Sequence, residues 1–321
     1  MEHPHWGNRA LPLDRDAKSG EHHRAPPSGA HHDFPPERII DADLLRVPAG
    51  PGALHVARYG HGGRAVILLH GFATSGFLWR NVAATIAREG HTAYAVDLMG
   101  YGESDRPLDG DYSIAAQTDY LQHALASLRI PSAMVVGLGI GGGIALRLAV
   151  LHPARVERLT LVNSVAFDEC PGRDVRMVQL GAARFAIRVT QGLLGAAPVL
   201  RRVLEESVAR ADAMPARLVA RYLAPYVGSD GVAHLLTLAR ALHAADVEEL
   251  DLSTLRMPTV IIWGEVDPWL DPGLPERLQA AIASSALVRL PDVGRFVPEE
   301  VPDVLSQLLI EQLEATTRTP F

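Results

Sequence analysis

From Glu37 onward the chain alternates short apolar runs with longer amphipathic stretches. The run AVILLH at 65–70 is continuously apolar up to its histidine, as a strand buried on both faces of a parallel sheet must be. Behind it, residues 76–89 carry Phe77, Val82, Ile86 and Ala87 at helical spacing. The cycle then repeats, with HTAYAVD (91–97), AMVVGL (133–138) and VERLTLVN (156–163) reading as strands and 113–128 and 140–151 as helices. This βαβ series predicts an α/β fold with a mostly parallel, doubly wound sheet and ligands at the carboxyl ends of its strands. Two extended segments, about 38–47 and 53–59, begin the sheet as hairpin-like or mixed strands.

Between 166 and 252 the strand signal vanishes and helix formers take over, broken at Gly192, Pro198, Pro215 and Pro225. Sheet texture resumes at TVIIWG (259–264), followed by a helix near 273–283, the strand LVRL (287–290) and a terminal helix over about 299–315. The pattern predicts one sheet interrupted by a helical lid: core 37–165, cap 166–252, core 253–321. An insertion of that size is poorly able to bury a core of its own. Residues 1–36 hold six of the 14 histidines and six of the 23 prolines with almost no aliphatic periodicity, which predicts a disordered tail. Its scattered histidines have nothing to hold them in tetrahedral geometry, so no metal site is expected.

Composition narrows the function classes. At 48% hydrophobic and 21% charged residues the chain buries a sizeable core. A net charge of −7 and the lack of a long basic run argue against a nucleic-acid partner. No stretch of 18 apolar residues and no apolar leader occur, so no membrane partner is expected. Cys170 is the single cysteine, which excludes a disulfide framework and fits a cytoplasmic location, and nothing near it in sequence supplies a base. Within 171–221, nine arginines face four acids, an excess of five positive charges that either covers the outer face of a cap or favours an anionic ligand.

The segment GLGIGG at 137–142 lies where a buried strand enters a helix, and its glycines permit a tight turn with helix-start amides aimed at the cleft. Gly137, Gly139 and Gly142 match G-x-G-x-x-G, but on the third strand of the series and without a suitably placed acid downstream. No dinucleotide or other cofactor is expected.

Five stretches in order over about 36–316 carry a resemblance: LLHGF (68–72) with Trp79, DLMGYGESDRP (97–107), GLGIGGGIALRLA (137–149), WGEVDPWLDP (263–272) and PDVGRFVPEEVPD (291–303). Together they resemble the α/β-hydrolase superfamily, in particular its epoxide-hydrolase-like, perhydrolase-like and ring-cleavage-product-hydrolase-like branch. The resemblance implies the α/β-hydrolase fold with a helical cap. It also puts the nucleophile of G-x-S-x-G at Gly139, preceded by Leu138, the triad acid at Asp267 and the triad histidine at Arg295. Glycine has no atom with which to attack, and a guanidinium with a pKa above about 12 cannot cycle as a base near neutral pH. Hydrolysis through a serine or aspartate at the elbow is therefore excluded.

The oxyanion donors implied by the resemblance are the backbone amides of Phe72 and Ile140. An Asp267–Arg295 pair is expected to be bidentate, with the guanidinium standing where the imidazole would be. His70 is expected as an acid–base group or a loop brace, Asp97 as a structural acid, and Leu138, Trp269, Phe77, Tyr101 and Asn163 as pocket residues. The function expected is a non-hydrolytic enzyme without metal or cofactor: a cyclase, carbon–carbon bond former, isomerase or lyase. Its substrate would be a bulky aromatic or polyketide-like small molecule of natural-product biosynthesis, handled by a monomer or homodimer. The alternatives are a binding module without catalysis, and a hydrolase with a relocated nucleophile or a general base acting on water.

Overall fold

The computed structural model describes residues 42–180 and 197–315, and the expected tail 1–36 lies outside them. An eight-stranded sheet has the order β1-β2-β4-β3-β5-β6-β7-β8. Its strands are β1 (Asp43–Ala49), β2 (Gly52–Tyr59), β3 (Ala65–Leu69), β4 (Thr92–Val96), β5 (Ala133–Gly139), β6 (Val156–Ser164), β7 (Thr259–Gly264) and β8 (Ser285–Leu290). β1 pairs antiparallel with β2 and β2 antiparallel with β4; all later pairings are parallel.

The central strands are apolar throughout because both faces are covered: all seven residues of β5 are buried, whereas outlying β1 alternates exposed positions with partly or fully buried ones. The first two core helices are α1 (Arg80–Arg88) and α2 (Ile114–Ser127), which starts where Ser113 Oγ accepts the amide of Ala116, satisfying a donor the helix cannot. α3 (Ile140–Leu151) is apolar nearly all round and packs on β5, β6 and α2. The chain leaves β3 for β4 on one side, and β5 lies on the other. The loops after β3 and β5 therefore face each other across the switch point, where open α/β sheets bind ligands.

Between β6 and β7 lie α4 (Arg173–Gln179), α5 (Ala197–Glu206), α6 (Ala216–Leu223), α7 (Gly228–Arg240) and α8 (Ala245–Glu248), with no strand among the described residues. After β7 come α9 (Leu274–Ala281), α10 (Val297–Glu300) and α11 (Pro302–Glu314), the last packed against α1. The expected terminal helix is thus two, because Pro302 begins a new helix at a position where its missing N–H is harmless. No described helix is long and apolar enough to cross a membrane.

Candidate active site

The β5–α3 turn is built by close approach. A Cβ on Gly141 would lie 2.5 Å from the carbonyl oxygen of Leu69, so only glycine lets α3 start this near β3. Gly139, the last residue of β5, has φ +57° and ψ −119°, a backbone that side-chain-bearing residues rarely adopt. A Cβ there would meet Arg295 Nη2 at 3.0 Å and the Cα of Gly71 at 3.6 Å. The Arg295 guanidinium thus stands directly over the turn, opposite the loop that follows β3. Neither the Phe72 amide nor the Ile140 amide donates to another described group.

Arg295 is buried, and its Nη1 lies 3.3 Å from Oδ1 of Asp174, on the first turn of α4. The alignment is poor enough that neither atom completes a hydrogen bond. Burial alone would push the guanidinium's pKa down, but Asp174 and Asp267 more than offset it, so the side chain stays charged. The bidentate Asp267–Arg295 pair expected from the sequence is not formed. Asp267 accepts instead from the Trp269 amide at 2.8 Å and from Asn163 Nδ2 at 3.1 Å, and no oxygen of it comes within ion-pair distance of Arg295. Burial raises the Asp267 carboxyl, against the opposing pull of Arg295 and the two donors. Asp174, on the lid, is the carboxylate within ion-pair distance of the guanidinium, while Asp267 acts on its charge from farther away.

Several expected residues are tied up structurally. His70 is fully buried, with Nδ1–H donating to Gly71 O at 2.8 Å and Nε2 accepting the Leu98 amide at 3.1 Å. Burial lowers its pKa, so a neutral imidazole with both nitrogens engaged braces two loops and has no lone pair left for acid–base work. Asn163 exchanges bonds with both backbone groups of Gly264, which turns it toward β7 and away from a pocket role. Asp97 accepts the amides of Gly76 and Glu103 and faces His55 Nδ1 at 3.0 Å, the structural part expected of it. Phe77 sits at the lid–core seam with the guanidiniums of Arg80 and Arg221 4.1 and 3.8 Å from its ring centroid. Leu138 is buried against Gly71. Cys170 is also buried, its thiol pushed up to about 12 by desolvation, which removes it as a nucleophile.

Tyr101 is fully buried with its ring edge-on to His70 and Phe72, and its hydroxyl has no partner. With Asp174 Oδ1 and Arg295 Nη1 it makes three buried polar atoms with unused bonding capacity around the loops that meet at the turn. An unmet group of this kind costs about 1–3 kcal/mol, which a ligand or water recovers. Among the described residues no three His, Cys, Asp or Glu side chains are grouped to hold a metal ion.

Ser207, just past α5, was not foreseen. Its carbonyl oxygen accepts the amides of Arg295 (2.8 Å) and Phe296 (3.2 Å), and its Oγ accepts Trp269 Nε1 at 2.8 Å. One buried lid residue therefore fixes both the loop carrying Arg295 and the loop carrying Asp267, and Trp269 serves as an anchor for the lid. Glu300 adds a second clamp by accepting Gly294 N and Ala209 N.

A model of the alpha/beta hydrolase fold family matches residues 64–302. Haloalkane dehalogenase 2 of Mycobacterium bovis is 25% identical over 276 residues, 81% of this chain and 91% of that protein. An uncharacterized protein of the same organism is 34% identical over 129 residues, 40% of this chain; the match spans 37% of that relative's own length. Among solved structures, an epoxide hydrolase superposes with a TM-score of 0.72 at 20% identity, covering 84% of this chain and 98% of that one.

Proposed function

Because the chain belongs to the alpha/beta hydrolase fold family, we propose that it is a non-hydrolytic catalyst on that scaffold, with Gly139 and Arg295 replacing the nucleophile and the histidine of the family's triad. The observation that carries this reading is the guanidinium nitrogen 3.0 Å from where a side chain on residue 139 would begin. A nucleophilic side chain and this arginine compete for one space, and the arginine holds it. A substrate oxygen entering beside Gly139 meets the free amides of Phe72 and Ile140 together with Arg295. As negative charge develops on that oxygen, the two amides and the cation stabilise it without reorganising. Asp174 and Asp267 keep the guanidinium charged and oriented, and the lid, anchored through Ser207, excludes water from the developing anion.

Reactions that pass through an enolate or alkoxide fit this machinery: cyclisation, carbon–carbon bond formation, isomerisation or elimination. A bulky aromatic or polyketide-like molecule suits the aromatic wall of Phe72 and Tyr101. The reading calls on a small-molecule partner alone, with no nucleic acid, membrane surface or cofactor in any step, and on a monomer or homodimer in the cytoplasm. A second reading draws on the hydrolase and dehalogenase names of the relatives: Asp267, its carboxyl raised by burial, activates water directly. Turnover of aromatic β-dicarbonyl substrates in H₂¹⁸O separates the two. Products without a hydrolytic ¹⁸O label support the first reading, and a labelled carboxylate in a cleaved product overturns it in favour of the second.

A further inference from the structure

We infer that the seam between lid and core carries a second binding site, apart from Gly139 and Arg295, that takes the phosphate group of a small phosphorylated ligand. A cleft of about 610 Å³ opens there, large enough for a phosphate and the organic body it is attached to. Four arginines line it: Arg80 on α1, Arg210 before α6, and Arg217 and Arg221 on α6. Two acids line it as well, and both are engaged. Glu299 binds Arg80 through two bonds of 2.7 and 2.8 Å and accepts Tyr222 OH at 2.6 Å, while Asp212 pairs with Arg210 at 3.2 Å.

Arg217 and Arg221 have no carboxylate within ion-pair distance among the described residues. They stand four apart on one helix, so two like charges share one face and repel. A doubly charged phosphate relieves that repulsion, and its oxygens match the planar fork of a guanidinium. Arg221 is already oriented by its stack on Phe77 at 3.8 Å, and Tyr222 beside it ties α6 to α10 through Glu299. Arg221 is thus held before any ligand arrives. Phe77 and Arg221 also border a neighbouring cleft of about 360 Å³, where Leu44, Ala57, Tyr59 and Pro225 offer an apolar wall for the organic body. Three of the nine arginines of 171–221, Arg210, Arg217 and Arg221, line this cleft.

Calorimetric titration of the full chain with inorganic phosphate and with phenyl phosphate tests the assignment. The proposal expects saturable binding of both, tighter for phenyl phosphate, and a loss of about tenfold or more in R217Q/R221Q. The control R201Q/R202Q removes the same charge from α5, outside the cleft, where those arginines face Glu205 and Glu206; it should bind within about twofold of the parent. R217K/R221K keeps the charge and loses the fork, and should fall between. Absence of saturable binding, or equal weakening in R217Q/R221Q and R201Q/R202Q, overturns the site and leaves only diffuse attraction to a basic surface. A melting temperature measured for each variant separates lost binding from lost folding, and if R217Q/R221Q melts early the lysine pair is decisive: unchanged binding in it overturns the site.

Discussion

Replacing Arg295 by methionine keeps much of the side chain's bulk and removes the cation that Asp174 faces at 3.3 Å. Asp174 is 4% exposed, so its carboxylate cannot recover the lost partner from bulk water. Removing one member of a buried ion pair costs about 3–5 kcal/mol, and the imperfect alignment here puts the expectation at about 3 kcal/mol. With an unfolding entropy of about 2.1 cal/mol/K per residue, a chain of 321 residues shifts its melting temperature by about 1.5 °C for each kcal/mol, so R295M should melt about 4–5 °C below the parent. R295M/D174N leaves no orphaned charge at that spot and should recover at least half of the loss. The effect has a definite pH sign. Burial already raises the Asp267 carboxyl, and without Arg295 it rises further. A carboxyl with a raised folded-state pKa favours the fold below its unfolded pKa and loses that contribution as pH rises through the folded value. The deficit of R295M should therefore be larger at pH 8 than at pH 5. Thermal melts of the parent, R295M, R295M/D174N and R295M/D267N at both pH values give the answer. If R295M melts with the parent, or if D267N rescues it and D174N does not, the pairing described here is wrong.

Three further outcomes are expected. Gly139→Ser should lower stability by about 1–3 kcal/mol and remain unlabelled by a fluorophosphonate, because its Cβ meets Arg295 Nη2 at 3.0 Å on a φ of +57°; stoichiometric labelling at residue 139 would show that the arginine yields. Ser207→Ala strips the acceptor from buried Trp269 Nε1 and should cost about 1–3 kcal/mol by urea unfolding, with faster proteolysis of the lid, whereas an unchanged midpoint would mean that the backbone bonds alone hold it. The His55–Asp97 pair should make stability pH-dependent on both sides. The hydrogen bond to Asp97 raises His55, so its contribution is complete below about pH 6.5 and fades as pH rises through the raised value. Asp97, where burial is outweighed by His55 and the amides it accepts, contributes above about pH 3.8 and loses that as pH falls. His55→Gln should flatten the stability profile between about pH 6 and pH 8, and an unaltered slope would remove the pair from the account.

The sheet was legible because its signal is local: apolar runs such as AVILL and AMVVGLG announce strands covered on both faces. The turn at Gly139 was legible for the same reason, since closely spaced glycines between strand and helix mark a tight turn whose backbone side-chain-bearing residues rarely adopt. What joins distant segments was not. Asp174 read as one acid in an arginine-rich lid, and nothing in its neighbours says that Arg295 lies beside it. Ser207 acts mainly through its carbonyl oxygen, which every residue has, so no residue-type signal marks it. His70 was ambiguous because a histidine in a loop is catalytic or structural according to what its two nitrogens touch, and that is decided by Leu98, on the loop after another strand.

The central claim is that the cation above Gly139 stabilises negative charge on a substrate oxygen. An enolisable aryl 1,3-diketone reports on this directly, since its enolate absorbs at longer wavelength than its neutral forms. Spectrophotometric titration of the diketone bound to the parent should give an apparent pKa lowered by about one unit or more, equivalent to about 1.4 kcal/mol of preference for the anion. The shift should shrink markedly in R295M/D174N, which is expected to keep the fold and the two amides but not the cation. A bound diketone with the pKa it has in water, or one shifted equally in both proteins, would contradict the role given to Arg295.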